Sequence, residues 1–99
     1  MKIIPIKYSE EKLIEQVKQQ NRLAQKQLYD RFSPSLLSTC RQYIKDIHEA
    51  EDVMLIGFMK IFQNINQFQF AGSFEGWMRR IMIYESIDFI RQKKQITFT

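Results

Sequence analysis

The chain is short of the residues that most chemistry needs. It has one cysteine, Cys40, and one histidine, His48. A lone cysteine cannot close an internal disulfide, and no Cys/His cluster offers a zinc site. Cys40 sits among helical residues and reads as a small buried hydrophobe. His48 lies beside Asp46 and Glu49 at a helix start, where a solvated cap residue is the simpler reading than a general base. There is no glycine-rich phosphate loop and no Ser/His/Asp signature. No catalytic residue, metal or cofactor is therefore expected. No apolar run approaches the roughly 18 residues that span a bilayer, and "MKIIPIKYSEE" is too short in apolar residues for a secretory signal. A cytoplasmic protein without a membrane partner is the expectation.

With three glycines and two prolines in 99 residues, little interrupts helix. Hydrophobic residues make up 44% and charged residues 26%, which suits one globular domain with one core. Ser9 stands before "EEKLIEQVKQQ" as an N-cap with acids in the first turn. "LAQKQLYDRF" carries Leu23, Ala24, Leu28 and Phe32 at helical spacing. Ser33-Pro34 is a restart signal ahead of "SLLSTCRQYI". Asp46 with Glu49 resembles a capping box opening a helix that runs to about Ile65. Gly72 and Ser73 mark a loop that caps a last helix, Phe74 to about Lys94. "QITFT" is expected to fray or to be a linker stub. The pattern predicts an all-α fold, a compact bundle of four to five helices.

Charge is unevenly placed. The net charge is +4, yet residues 46–52 hold Asp46, Glu49, Glu51 and Asp52 with no lysine or arginine. After Phe74 come Arg79, Arg80, Arg91, Lys93 and Lys94 against Glu75, Glu85 and Asp88. An acidic middle and a basic end suit two different partners, or two ordinary solvated faces.

The stretch "EDVMLIGFMKIF" has apolar residues all round. At about 100° per residue, Ala50, Met54, Gly57, Phe58, Ile61 and Ile65 share one face. Gly57 there would let a neighbouring helix approach closely. Leu55, Ile56 and Met59 fall opposite, among Asp52, Lys60 and Gln63. Either this helix is buried all round, or the second face docks a partner helix.

In the last helix, Trp77, Arg80, Tyr84, Asp88 and Arg91 follow one another three and four apart and form one aromatic and charged ridge. Ile83, Ile87 and Ile90 form an apolar stripe, and Met78, Ile81, Met82 and Phe89 another. Aromatics among basic residues suit single-stranded nucleic acid, whose bases stack on rings. The preceding loop adds Phe68, Gln69, Phe70 and Ser73, beside a helix N-terminus that can receive a base and a phosphate. The plain alternative makes Trp77 a core residue and Asp88–Arg91 a surface ion pair.

Taken together, "LYDRF", "EAEDVMLIGFMKIFQNI" and "GSFEGWMRRIMIYESIDFIRQKK" resemble the polymerase-binding, promoter-melting domain (region 2) of the extracytoplasmic-function sigma factors of bacterial RNA polymerase. The likeness covers residues 9–94, leaving 1–8 as an N-terminal extension and 95–99 as a tail or linker stub. It rests on Ala50-Glu51-Asp52-Val53, Gly57-Phe58, Phe62, Phe74, Trp77, Arg80-Ile81, Ile87-Asp88 and Arg91. The resemblance implies a non-enzymatic transcription-initiation module. Asp52, Leu55, Ile56, Met59 and Lys60 would dock on the coiled coil of the largest subunit of core RNA polymerase. The loop from Gln67 through Phe70 to Ser73 would capture a flipped base of the promoter −10 element, with Trp77 helping to position it. Arg80, Tyr84, Arg91, Lys93 and Lys94 would hold the opened single strand. An anti-sigma factor is a further partner the family brings, though no residue identifies one.

Three features depart from the family. Leu55-Ile56 replace a usual Gln followed by Glu or Asp, which favours self-association or another partner. Tyr84 stands where Asn is frequent, and its ring could stack a base. The helix-turn-helix domain that reads the −35 element does not follow, so the chain is expected to be a fragment or a degenerate relative that binds promoter DNA weakly by itself. The competing reading is a helical interaction or self-associating module that uses the Leu55-Ile56-Met59 patch and does not bind nucleic acid.

Overall fold

The computed structural model describes the backbone of residues 6–98 and the side chains of residues 10–95. Residues 1–5, most of the expected N-terminal extension, lie outside the described residues, as do the side chains of Ser9 and of most of the "QITFT" tail. Among the described residues four helices follow one another: α1 (Ile6–Lys18), α2 (Arg22–Arg41), α3 (Ile47–Asn64) and α4 (Phe74–Phe98), with a 3₁₀ turn at Ile65–Gln67 after α3. The all-α bundle expected from the sequence is what forms. Among the described residues, no helix is long and apolar enough to cross a membrane.

Helix starts follow local hydrogen bonding. α1 begins at Ile6, so Ser9 lies within it and is not its cap. Gln20, with φ of 63°, turns the chain after α1. Asn21, which the sequence reading passed over, caps α2 by accepting from the Ala24 N–H at 3.0 Å. Asp46 caps α3 by accepting from the Glu49 N–H at 3.0 Å. Only half of the expected capping box forms, because the Glu49 carboxylate turns away to Lys93. Ser73 closes the loop as expected, its hydroxyl accepting from the Gly76 N–H at 3.0 Å.

The predicted restart at Ser33-Pro34 does not occur; α2 runs straight through Pro34. Proline removes the bond to the Asp30 carbonyl and strains the turn, at about 3 kcal/mol. Asp30 and Pro34 are both exposed, so water can serve the orphaned carbonyl. On the other side Ala24, Leu28, Phe32, Leu36 and Cys40 are buried in one line, four residues apart. Breaking the helix would break that line, and each large apolar side chain in it gains about 1.5–3 kcal/mol from burial. The last helix also outruns its expected end, continuing past Lys94 to Phe98.

The core joins α2, α3 and α4 around Leu36, Cys40, Ile61, Met78 and Met82, all fully buried. Gly57 makes the closest crossing. A Cβ on it would meet the Met82 sulfur directly and the Met82 methyl at 2.8 Å. α1 covers one side through Leu13, Ile14 and Val17. Cys40 is buried against Met82 at 3.9 Å between sulfurs. Burial pushes its thiol up from the ordinary value, against a smaller opposing effect of the Ser86 hydroxyl. It is a packing residue.

Candidate functional site

α3 divides into two arcs. Ala50, Val53, Met54, Gly57, Phe58 and Ile61 are buried, and Ile65 continues that arc into the 3₁₀ turn. Leu55, Ile56 and Met59 are 47%, 46% and 60% exposed, so the helix is not buried all round. Asp52 is exposed beside them. These three side chains form an apolar patch on a helix whose opposite arc is core. Water gains nothing from it, which is the usual mark of an interaction surface.

The loop after α3 is built on Phe68, which is buried and packs edge-tilted on Phe74 at 5.0 Å and Trp77 at 5.6 Å between ring centroids. Phe70 lies half exposed beyond it, with φ of 60°. A bulky side chain in this left-handed region costs about 1–3 kcal/mol and is held only where its surroundings insist. Lys18 supplies that hold from α1. Its ammonium donates to the Phe68 carbonyl at 2.7 Å and sits over the Phe70 ring, 4.8 Å from its centroid. Gly72, with φ of 86°, completes the turn. Phe68, Phe70, Gly72 and Ser73 then face Glu10 and Glu11 of α1 across a cavity of about 230 Å³. Lys18 was not legible as a partner of this loop. Gln67 lies just before it, its amide donating to Asn64 Oδ1 at 3.2 Å.

A second cavity, of about 380 Å³, opens between α3 and α4. Lys60, Asn64, Trp77, Arg80, Ile81, Tyr84 and Glu85 line it. Trp77 is partly buried against the core, while Arg80 and Tyr84 are exposed. The structure thus brings Lys60, which the resemblance placed with the α3 patch, into the same groove as Trp77, Arg80 and Tyr84. It also adds Glu85, whose side chain is only 8% exposed and whose Oε2 receives the Lys60 ammonium at 2.6 Å. That hydrogen bond holds Lys60 above the ordinary lysine value. A signal for Glu85 did exist: it continues the spacing of Met78, Ile81 and Phe89, an acid on a stripe otherwise apolar.

Toward its C-terminal end α4 carries Arg91, Lys93 and Lys94, all exposed. Lys93 binds both oxygens of Glu49 at 3.0 and 2.9 Å. The Asp88–Arg91 surface pair of the plain alternative does not form among the described residues; instead Gln92 Nε2 donates to Asp88 at 3.1 Å. Beneath this end the Asp46 carboxyl is held below its usual value, chiefly by the Glu49 N–H.

Comparison with known proteins agrees with the geometry. Residues 28–96 match the family model of Sigma-70 region 2. The chain is 32% identical over 83 residues to the ECF RNA polymerase sigma factor SigW of Bacillus subtilis, covering 84% of this chain and 44% of that protein. It is 35% identical over 49 residues to the ECF RNA polymerase sigma factor SigE of Mycolicibacterium smegmatis, covering 50% of this chain and 19% of that protein. The chain therefore spans less than half the length of these curated relatives. No solved structure matches it significantly. With a continuous match from α2 through α4 and extracytoplasmic-function factors among its relatives, the chain belongs to the Sigma-70 region 2 family.

Proposed function

We propose that this domain acts in transcription initiation by docking on core RNA polymerase with one surface and holding the opened promoter −10 strand with another. The observation that carries the reading is the exposure of Leu55, Ile56 and Met59 on a helix whose other arc is core. This patch, with Asp52 and Lys60 at its edges, takes the coiled coil of the polymerase's largest subunit. Gln67, Phe70 and Ser73 receive an unstacked base beside the α4 N-terminus. Trp77, Arg80 and Tyr84, followed by Arg91, Lys93 and Lys94, run along the same helix and hold the single strand by stacking and phosphate neutralisation. Lys93 would exchange Glu49 for a phosphate when it does so. Control by an anti-sigma protein covering either surface belongs to this reading. A helical interaction module without nucleic acid finds no support in the family match.

The test is a pull-down of core RNA polymerase with the chain and with its Leu55→Gln/Ile56→Glu variant. Retention of polymerase by the chain, weakened in the variant, supports docking through the apolar patch, and retention unchanged in the variant would take docking off that patch. Retention by neither overturns it. A stable dimer by light scattering, lost in the variant, would make the patch a self-association face instead. Strand selectivity checks the second surface: single-stranded −10-like DNA should bind better than duplex and weaken with salt. Equal binding to random duplex would remove the DNA half of the proposal.

A further inference from the structure

The pair Lys60–Glu85 is an odd thing to find at the wall of an open groove. A carboxylate on the buried arc of α4, the arc that also carries Phe74 and Met78, loses most of its hydration, a cost of several kcal/mol before any partner is counted. An apolar residue there would pack without that cost. Lys60 offsets part of it, but Lys60 is 45% exposed and engages Oε2. Among the described residues, no hydrogen bond reaches Oε1. The groove in front of the pair has an indole on one wall, a phenol and a guanidinium on its rim, and about 380 Å³ of space. That volume falls in the range of small-molecule sites.

We infer that this groove is a nucleobase site separate from the loop, in which Glu85, oriented by Lys60, accepts a hydrogen bond from the edge of an unstacked base. The inference rests on the reading that this face of α4 takes single-stranded DNA. Trp77 and Tyr84 supply ring faces for the base, and Arg80 stands where the adjoining phosphate would be. A carboxylate is acceptor-only and an ammonium donor-only. Side by side, the two complement a base edge that offers a ring N–H next to a carbonyl, or an amino group next to a ring nitrogen. A simple structural tie between α3 and α4 would have no such dependence on the base edge.

The chain's single tryptophan makes the test direct, because Trp77 lines the groove and its emission reads occupancy. The probes are an eight-residue oligothymidylate and the same oligomer methylated at thymine N3, which keeps every phosphate and loses the ring N–H. Both are titrated against the chain and its Glu85→Gln variant at low salt, with anisotropy of the labelled oligomer followed in parallel. Wild type should prefer the unmethylated oligomer by about tenfold, the scale of one hydrogen bond to a charged group. Glu85→Gln should bring the two oligomers within about twofold, since a neutral amide makes the weaker bond. Equal affinity in wild type, an undiminished preference in Glu85→Gln, or binding that leaves Trp77 emission unchanged overturns the inference while the DNA-binding reading stands. Anisotropy showing no binding of either oligomer removes that reading too. Should Glu85→Gln fail to fold, the two oligomers on wild type alone still decide whether the ring N–H is read.

Discussion

The two surfaces of this domain are made in opposite ways. The α3 patch is three apolar side chains on one regular helix, and the backbone alone places them. The surface formed by the loop and α4 is assembled from distant parts: Lys18 braces the loop, Ser73 starts the helix, and Lys60 steadies Glu85. A patch of the first kind can be rewritten without disturbing the fold. One of the second kind depends on every support. The first suits a docking face and the second suits recognition of a shaped, charged ligand.

The sharpest way to test this contrast is to empty the patch. Leu55→Ala with Met59→Ala should weaken polymerase binding by about 2–4 kcal/mol, as for truncated anchors at an interface centre. Stability in urea should move by no more than about 0.5 kcal/mol, because both side chains are solvent-facing. A large loss of stability would show that the patch belongs to the fold and would erase the contrast.

Gly57→Val attacks the frame that both surfaces share. Two methyl groups and a Cβ would enter the space held by the Met82 thioether. Overpacking of this sort costs about 1–3 kcal/mol, and urea denaturation should show it. Binding at both surfaces should suffer together. An unchanged midpoint would mean that α3 and α4 can separate at no cost, against the close crossing seen here.

Much of this was legible beforehand, and what was missed has a common cause. Periodicity gave the helical class, the buried arc of α3 and the apolar trio opposite it, because each is a property of one helix; whether that trio is exposed depends on the neighbouring helices and stayed open. The cap at Asp46 was equally local. Proline 34 misled because local preference there is overruled by a buried line running on both sides of it. Glu85 with Lys60, Lys18 with Phe68 and Lys93 with Glu49 join residues 25, 50 and 44 positions apart. Their pairing depends on which helix lies beside which, and periodicity along one helix does not contain that. The candidate site was thus half visible: its ring and cation positions could be named, but not the groups that brace them.

Lys18→Met tests one brace directly. Methionine keeps the apolar stem but loses both the bond to the Phe68 carbonyl and the cation over Phe70. Part-exposed contacts of this kind are worth about 0.5–1 kcal/mol each. Single-strand affinity should fall by about 1 kcal/mol, and Lys18→Arg should restore part of it. Polymerase binding through α3 should stay as it was. If it fell equally, the two surfaces would not be independent.

The smallest effect lies where the two helices meet again, at the start of α3. Asp46 is held below the ordinary aspartate value of 3.8, first by the Glu49 N–H. A carboxyl whose folded value is depressed stabilises the fold above its unfolded value and loses that contribution as pH falls through the folded one. Wild type should therefore shed part of its thermal stability as pH falls below the ordinary aspartate value of 3.8 and on through the lower folded one, where this cap becomes protonated. Asp46→Asn keeps a good N-cap that cannot titrate. Its melting temperature should sit slightly below wild type at pH 7 and approach it as the pH falls below 3.8, as read in paired calorimetric scans; all other carboxylates are common to both proteins and drop out of the difference. Parallel pH profiles would mean that the charge at Asp46 does no more for α3 than a neutral amide does. In that case the acidic start of α3 would be left to Glu49 and its tie to Lys93.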